Sequence, residues 1–121
     1  MQFDELLKRL GVEISPELLQ LALTHSSYAY EKGGEDNERL EFLGDSILGY
    51  LVAVHVFKSQ SELSEGELTK LKNAVVSAQA LASAANRIGI GEFLRLGKGE
   101  EQTDGRRKPN VLADAFEAIL G

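Results

Sequence analysis

The chain has 121 residues, 43% of them hydrophobic, which is enough for one domain with its own core and too few for two ordinary domains. It contains no cysteine and two histidines, which excludes disulfides and thiolate metal sites and argues against a histidine-rich zinc site. The net charge of −6 argues against simple electrostatic binding of nucleic acid, and because no uninterrupted apolar run approaches the roughly 18 residues that span a bilayer, we expect a cytoplasmic protein without membrane contact.

The first half of the chain predicts three helices and one loop. Gly11 closes the first helix, and Ser15 followed by Pro16 is typical of the start of a second. A polar stretch with two adjacent glycines predicts a loop, after which Asp36 and Asn37 are suited to cap a long helix. In chain order we expect a helix over residues 3–10, a helix over 15–23, a loop over 24–36 and a long helix over 37–57.

The second half predicts one long helix, a charged loop and a final helix. Ser64 and Glu67 have the spacing of a capping box, and the helix that they start keeps one apolar side until glycines at 89 and 91 end it. A short helical turn over 92–96, a charged loop over 97–109 and an amphipathic helix over 111–120 follow. Five or six helices and no convincing strand predict an all-α domain over residues 1–121, and its abrupt end at Gly121 leads us to expect that the natural chain continues.

Three carboxylates follow one face of the long helix. Glu38, Glu41 and Asp45 are spaced three and four residues apart and share an arc of roughly 60°. A solvated acidic face would explain this stripe. However, the helix is apolar nearly all round from Ile47 onward, which predicts that other helices enclose it. Stacked carboxylates at the edge of such a buried region repel each other unless a cation or a raised pKa compensates.

A second carboxylate pair lies on the last helix. Asp114 and Glu117 are three residues apart and point away from the apolar residues of that helix. They would form a polar outer face, or they would meet the first stripe if another helix approached the small side chains of Ala113, Ala115 and Ala118. If the two pairs meet, four oxygen donors would suit magnesium or manganese, and the chemistry indicated is phosphodiester hydrolysis.

Other motifs indicate no further chemistry. The stretch Leu96–Gly99 lacks the spacing of a phosphate-binding loop, so we expect no nucleotide cofactor. Neither His25 nor His55 has a glutamate three residues earlier, which argues against an iron-carboxylate bundle. His25 is interpreted as a hydrogen-bonded structural histidine in preference to a catalytic one.

Residues 37–48, with the sequence NERLEFLGDSIL, closely resemble the signature of the ribonuclease III family. Three further blocks, at 23–28, 64–69 and 112–118, follow in the order of that family. The resemblance covers nearly the whole chain. It implies an all-helical nuclease domain that cuts double-stranded RNA in ribosomal and messenger RNA processing.

The resemblance also implies functional residues. Four positions would bind Mg²⁺, or Mn²⁺ in its place, and carry catalysis: Glu41, Asp45, Asp114 and Glu117. Among these, Asp45 and Glu117 are regarded as essential in the family. Glu38 and Glu65 match more peripheral acidic residues near the scissile strand.

Family members form symmetric homodimers through the signature helix. This implies that the side chain of Phe42 inserts into the surface of the partner. The alternative is that Phe42 packs in the core of its own chain. Two centres would then each cut one strand and leave a short 3′ overhang. The basic run Arg106, Arg107 and Lys108 would contact phosphate or form a solvated loop.

The sequence departs from the family in two respects. The usual C-terminal domain that binds double-stranded RNA is absent, so we expect weak, salt-sensitive substrate affinity. Asn110 and the pair Lys72 and Asn73 replace commoner residues, which puts local RNA contacts in doubt. Three alternatives stay open: a compact relative that naturally lacks the binding domain, a non-catalytic dimeric RNA-binding protein on the same fold, and a helical bundle with an acidic surface and no tight metal site.

Overall fold

The computed structural model describes residues 2–121, and over that range it contains eight α-helices, two short 3₁₀ helices and no strand. The α-helices are α1 (Asp4–Leu10), α2 (Pro16–Ala22), α3 (Ser26–Lys32), α4 (Glu38–Ser59), α5 (Glu65–Val75), α6 (Ala78–Ile88), α7 (Lys98–Gln102) and α8 (Pro109–Leu120). The 3₁₀ helices cover Ile90–Phe93 and Gly105–Arg107. The predicted all-α class is confirmed, although the helices outnumber the five or six expected.

Most predicted boundaries agree with the structure because their capping signals are local. Gly11 ends α1 in the left-handed conformation at φ +71°, and the hydroxyl of Ser15 accepts a hydrogen bond from the backbone of α2. The capping box of Ser64 and Glu67 is formed at the start of α5. At α4, Asp36 accepts from the backbone N–H of residue 38, whereas the side chain of Asn37 donates instead to the carbonyl of residue 22.

The loop expected over residues 24–36 is wrong in its middle, where α3 forms. The Nδ1 atom of His25 accepts a hydrogen bond from the backbone N–H of Ser27 at 3.1 Å and so acts as the N-cap of α3. Gly33, at φ +83°, ends the helix. This segment was missed because it is polar and short, and because histidine is not a typical N-cap residue.

The single helix expected between residues 64 and 89 is also wrong, because it is divided at Ser77. The hydroxyl of Ser77 accepts a hydrogen bond from the backbone N–H of Ala80 at 3.2 Å and starts α6 as a new helix. The charged loop expected over 97–109 contains α7 and a 3₁₀ turn. The apolar positions of α5 and α6 follow one another without a gap in the sequence, which concealed the break.

The core is built around α8, which packs on α4 along one side and on α6 along another. Five of its first seven residues after Asn110 are buried apolar or acidic side chains, so this helix lies inside the domain. The largest fully buried side chains come from α1, α2, α8 and the segments beside them: Leu6, Leu19, Leu23, Ile90 and Leu112. Any polar group on the inner faces of α8 is therefore held away from bulk water.

Helix α4 is not enclosed by the rest of this chain, contrary to the expectation from its apolar pattern. Phe42 is 66% exposed, Tyr50 70% and Phe57 71%, and Leu43 is exposed as well. Leu43, Tyr50 and Phe57 recur every seventh residue and, with Phe42, occupy an arc of about 100°. We call these four residues the apolar face of α4. Ordinary core packing of Phe42 is thereby excluded for this chain.

By length and composition, α4 would also reach across a membrane, and 17% of its most apolar stretch is buried within the chain. Counting uninterrupted apolar residues overlooked this helix because Asp45 interrupts the run. The same criteria are met by core helices of soluble proteins, and here one side of α4 packs on α8 and α5. The cytoplasmic location expected from the sequence stays a prediction.

Candidate metal centre

The crossing of α4 and α8 is close because glycine stands at the contact. Gly44 is buried, and a Cβ atom built on it would lie 1.6 Å from the carbonyl oxygen of Glu117. A Cβ on Gly121 would lie 2.3 Å from the carbonyl oxygen of Leu40. No other residue type fits at either point without moving the backbone. The alanines expected to permit this approach are buried, but Gly44 sets the distance between the helices.

This crossing brings the two predicted acidic faces together. Carboxylate oxygens of Glu41, Asp114 and Glu117 all lie within 4.8 Å of one another. Asp45, one turn after Glu41, shares a hydrogen bond with the carboxyl group of Glu117. We call these four residues the acidic centre. Glu117 is only 7% exposed and Asp114 and Glu41 are half-buried, so neither pair forms a simple solvated face.

Burial and mutual repulsion shift the acid strengths of the two glutamates. Burial raises the pKa of Glu117 to about 8, assisted by its hydrogen bond to Asp45 and by the charges of Asp45, Glu41 and Asp114. Burial likewise raises the pKa of Glu41 to about 7, with the charge of Asp114 as the next largest cause. When no cation is bound, Glu117 therefore stays mostly protonated at neutral pH, and Glu41 is about half protonated.

Asp114 responds differently to the same surroundings. Burial raises its pKa, but a hydrogen bond from Glu41 and the charge of His25 both lower it in part. The centre therefore consists of two hydrogen-bonded carboxyl pairs: Glu41 with Asp114, and Glu117 with Asp45. Among residues 2–121, no lysine or arginine acts on the pKa of Glu41, Asp114 or Glu117, and the one cationic contribution is that of His25 to Asp114, so a bound divalent cation would compensate the remaining charge.

The donor set fits a hard divalent cation. At metal–oxygen distances of about 2.0–2.1 Å, opposite ligands of octahedral Mg²⁺ lie about 4.2 Å apart, which the observed limit of 4.8 Å accommodates after small side-chain adjustments. Carboxylates alone, without sulfur or imidazole, are typical of magnesium and manganese sites. Glu41, Asp114 and Glu117 would be the direct ligands, and water would complete the shell.

The two peripheral acidic residues differ in their relation to this centre. Glu38 is exposed in the first turn of α4, and its charge contributes to the raised pKa of Glu41. Glu65 is exposed in the first turn of α5, and it is not among the groups that shift the acidic centre. The structure therefore joins Glu38, but not Glu65, to the four carboxyls.

Residues 98–108 form a second charge-dense region, which we call the charged segment. The guanidinium of Arg106 donates to Glu101 at 2.8 and 3.0 Å and to the carbonyls of Gly91 and Leu94 at 2.9 and 2.7 Å. Arg106 thus connects parts of this chain by hydrogen bonds. It fits neither the predicted phosphate contact nor the alternative of a solvated loop.

The two basic residues that follow Arg106 in the sequence make fewer contacts. Lys108 pairs with Glu100 at 2.6 Å and donates to Thr103 at 3.0 Å. Arg107 is 85% exposed, with Asp104 at 3.8 Å. Of the three residues predicted to contact phosphate, Arg107 presents its charge most freely to solvent, so that prediction now rests mainly on this residue.

His25 is closer to the acidic centre than its sequence interpretation indicated. Its Nδ1 atom lies 2.7 Å from the hydroxyl of Ser27 and also accepts the backbone N–H of that residue, and its charge acts on Asp114. The structural interpretation is correct for Nδ1, but it missed the electrostatic contact. No local sequence signal connects residue 25 with residue 114, because the contact depends on how α3 packs.

The chain is similar to known proteins over nearly its whole length. The Ribonuclease-III-like family matches residues 15–121. Ribonuclease 3 of Leifsonia xyli subsp. xyli is 59% identical over 117 residues, and ribonuclease 3 of Thermobifida fusca is 54% identical over 118, covering 96% and 97% of this chain and 49% of each relative. This chain therefore spans about half the length of the curated relatives that it matches.

Solved structures are similar as well. The nuclease domain of ribonuclease III from Campylobacter jejuni superposes with a TM-score of 0.91 at 39% identity, covering 97% of this chain and 80% of that one. That structure was described for flexibility in a region involved in its dimer formation. A second structure of the same nuclease domain gives a TM-score of 0.88, also at 39% identity, and covers 96% of this chain and 78% of that one.

Proposed function

Because the chain belongs to the Ribonuclease-III-like family, we propose that it is a metal-dependent endoribonuclease domain that hydrolyses phosphodiester bonds of double-stranded RNA. The observation that carries this proposal is the convergence of four carboxyls at the crossing of α4 and α8. A helical bundle with only a solvated acidic surface would not bury Glu117 or raise the pKa of Glu117 and Glu41 so far.

The chain's own residues divide the work of this site. Glu41, Asp114 and Glu117 would hold the cation, Mg²⁺ by preference and Mn²⁺ as a substitute, with Asp45 as the fourth predicted ligand. A bound cation would supply positive charge at the phosphate and would make the attacking water easier to deprotonate. Asp45 orients Glu117 by hydrogen bonding to it, and on loss of its proton Glu117 becomes available as a ligand. Gly44 keeps the two helices at the distance that this set needs.

We propose that two copies associate through the apolar face of α4. Beside Phe42 lies a cavity of about 740 Å³, lined in part by Leu21, Leu40 and Leu43. In a symmetric pair each protomer offers the same patch, so the Phe42 ring of one would enter this cavity of the other. The dimer formation described for the similar nuclease domain of Campylobacter jejuni supports an association of two copies.

A duplex substrate follows from the paired arrangement. Two centres related by symmetry would each cut one strand and leave a short 3′ overhang, and we place this cutting in ribosomal and messenger RNA processing. Recognition of the shape of the duplex suits A-form RNA, because its minor groove displays 2′-hydroxyls and little base information. With a net charge of −6, this chain alone would bind RNA weakly and lose affinity as salt rises.

The decisive experiment is cleavage of long double-stranded RNA at low salt with Mg²⁺, with single-stranded RNA as the control. Asp45→Asn and Glu117→Gln, which keep the size of each side chain, should both abolish cutting. Duplex-specific, metal-dependent cutting that both substitutions remove would establish the activity. Duplex binding without cutting under Mg²⁺ or Mn²⁺ would instead favour the non-catalytic RNA-binding alternative.

A further inference from the structure

A cavity of about 530 Å³ lies between α4 and α5, and Asp45 of the acidic centre forms part of its wall. The opposite wall comes from the end of α5. The residues around it are Asp45, Ser46, Gly49, Tyr50, Lys72 and Asn73, with Ala53 and Val76. The cavity therefore has one acidic edge, one basic group and several neutral polar groups, and it opens beside the site where a phosphate would be cut.

Lys72 differs from the other lysines of the chain. Among residues 2–121 it is the one lysine whose side chain is not exposed. Its carbon chain packs on α4, where Cε and Nζ lie 3.7 and 3.9 Å from the position that a Cβ atom on Gly49 would take. Within that part of the chain, its ammonium group makes no hydrogen bond or ion pair, including none to Asp45. The ammonium group still has contact with solvent, so an anionic ligand that enters the cavity can reach it.

Stabilisation of α5 explains this arrangement less well. Lys72 lies in the last turn of α5, where a cation interacts favourably with the helix dipole. That effect is available to an exposed lysine, which would also keep its hydration. It does not account for a side chain laid across Gly49 and into a cavity.

We propose that Lys72 binds a phosphodiester group of the RNA strand next to the one held at the acidic centre, an inference that rests on the proposed function. Gly49 follows Asp45 by one helical turn, about 6 Å along α4, which is comparable to the spacing of neighbouring phosphates on one strand. A lysine serves such a group as a compact point charge. Tyr50 and Asn73 on the same wall offer further donors to phosphate or to a ribose hydroxyl.

Substitution of Lys72 by glutamine tests the subsite, with Lys70→Gln as the matched control because Lys70 is an exposed lysine on the same helix. Lys72→Gln should raise KM for double-stranded RNA roughly tenfold with little change in kcat, and Lys72→Arg should restore most of the loss. The slope of binding against salt should fall by about one for Lys72→Gln. Unchanged melting temperatures would show that each variant is folded.

A second measurement is independent of cleavage. Inorganic phosphate, titrated into the chain with Mg²⁺ present and followed by ¹H–¹⁵N NMR, should shift the amide signal of Gly49, and Lys72→Gln should remove that shift while Lys70→Gln keeps it. If the unsubstituted chain cuts no duplex, the proposed function fails, but this titration still decides on the subsite. Equal effects of the two glutamine substitutions, or no phosphate-dependent change at Gly49, would overturn the inference.

Discussion

The acidic centre and the charged segment are both rich in ionised groups, but they satisfy their charges in opposite ways. In the charged segment Arg106, Arg107 and Lys108 each face a carboxylate of the same segment, as Arg106 does with Glu101 and Lys108 with Glu100. In the acidic centre four carboxyls face one another across two helices. Burial and the neighbouring carboxylates raise the pKa of Glu41 and of Glu117 there. The difference indicates that the first arrangement supports the fold, whereas the second is arranged for a ligand.

Gly44→Ala should have the largest effect on the acidic centre. The new Cβ would overlap the carbonyl oxygen of Glu117, so α4 and α8 must separate, and the free energy of unfolding should fall by about 3 kcal/mol or more. Mg²⁺ binding should be lost with it, as calorimetry would show. Gly66→Ala is the matched control, because a Cβ on this helical glycine meets nothing within 4 Å. Equal stability of both variants would contradict the close crossing described above.

Glu117→Gln should separate stability from ligand binding. The neutral amide cannot bear the charge that the centre repels, so we expect the metal-free chain to melt at a higher temperature than the unsubstituted chain at pH 8 and above. Stabilisation by added Mg²⁺ should disappear at the same time. Thermal melts with and without Mg²⁺ measure both effects, and a variant that Mg²⁺ still stabilises would exclude Glu117 as a ligand.

The stability of the metal-free chain should depend on pH. Folding raises the pKa of Glu117 to about 8 and that of Glu41 to about 7, so between pH 4.5 and 8 the folded chain binds more protons than the unfolded chain. The free energy of unfolding then decreases as pH rises through this window. Denaturant titrations with a chelator at pH 5, 7 and 9 test this, and saturating Mg²⁺ should flatten the trend. A free energy of unfolding that rises from pH 5 to 9 would contradict the raised pKa values of Glu41 and Glu117.

The charged segment should show a smaller, purely structural effect. Arg106→Ala removes the guanidinium donor from the carbonyls of Gly91 and Leu94 and should cost about 1–3 kcal/mol of unfolding free energy. Arg107→Ala should change it by less than about 0.5 kcal/mol, because Arg107 is exposed. Neither substitution should alter the affinity for Mg²⁺. A change of metal affinity in Arg106→Ala would show that the two regions communicate.

The four carboxyls of the acidic centre were predictable because helical spacing and a long family motif agree on them. Their meeting was left open by the sequence alone, since spacing cannot tell a solvated face from one that another helix covers. A clue was nevertheless present, because a glycine inside a helix costs about 1 kcal/mol relative to alanine and so indicates a close contact. Gly44 stands one residue before Asp45 and marks the crossing.

What the sequence could not predict depends on contacts between distant residues. The helix α3 depends on His25 as an unusual cap, and the break at Ser77 depends on a single hydroxyl. The apolar pattern of α4 indicated that the helix is buried. It could not indicate whether the residues that bury it belong to the same chain or to a second copy. The proximity of His25 to Asp114 and the position of Lys72 beside Asp45 likewise follow from packing.

Helix α4 carries Glu41 and Phe42 as consecutive residues, so a carboxylate of the acidic centre and the side chain proposed to enter the partner are fixed to one rigid element. In the proposed dimer, the radius and pitch of α4 would set the separation of the two cuts. No loop would lie between the carboxylates on this helix and the symmetry axis of the dimer. The stagger between the two broken bonds would then be a constant of the fold, the same for every duplex that the protein cleaves.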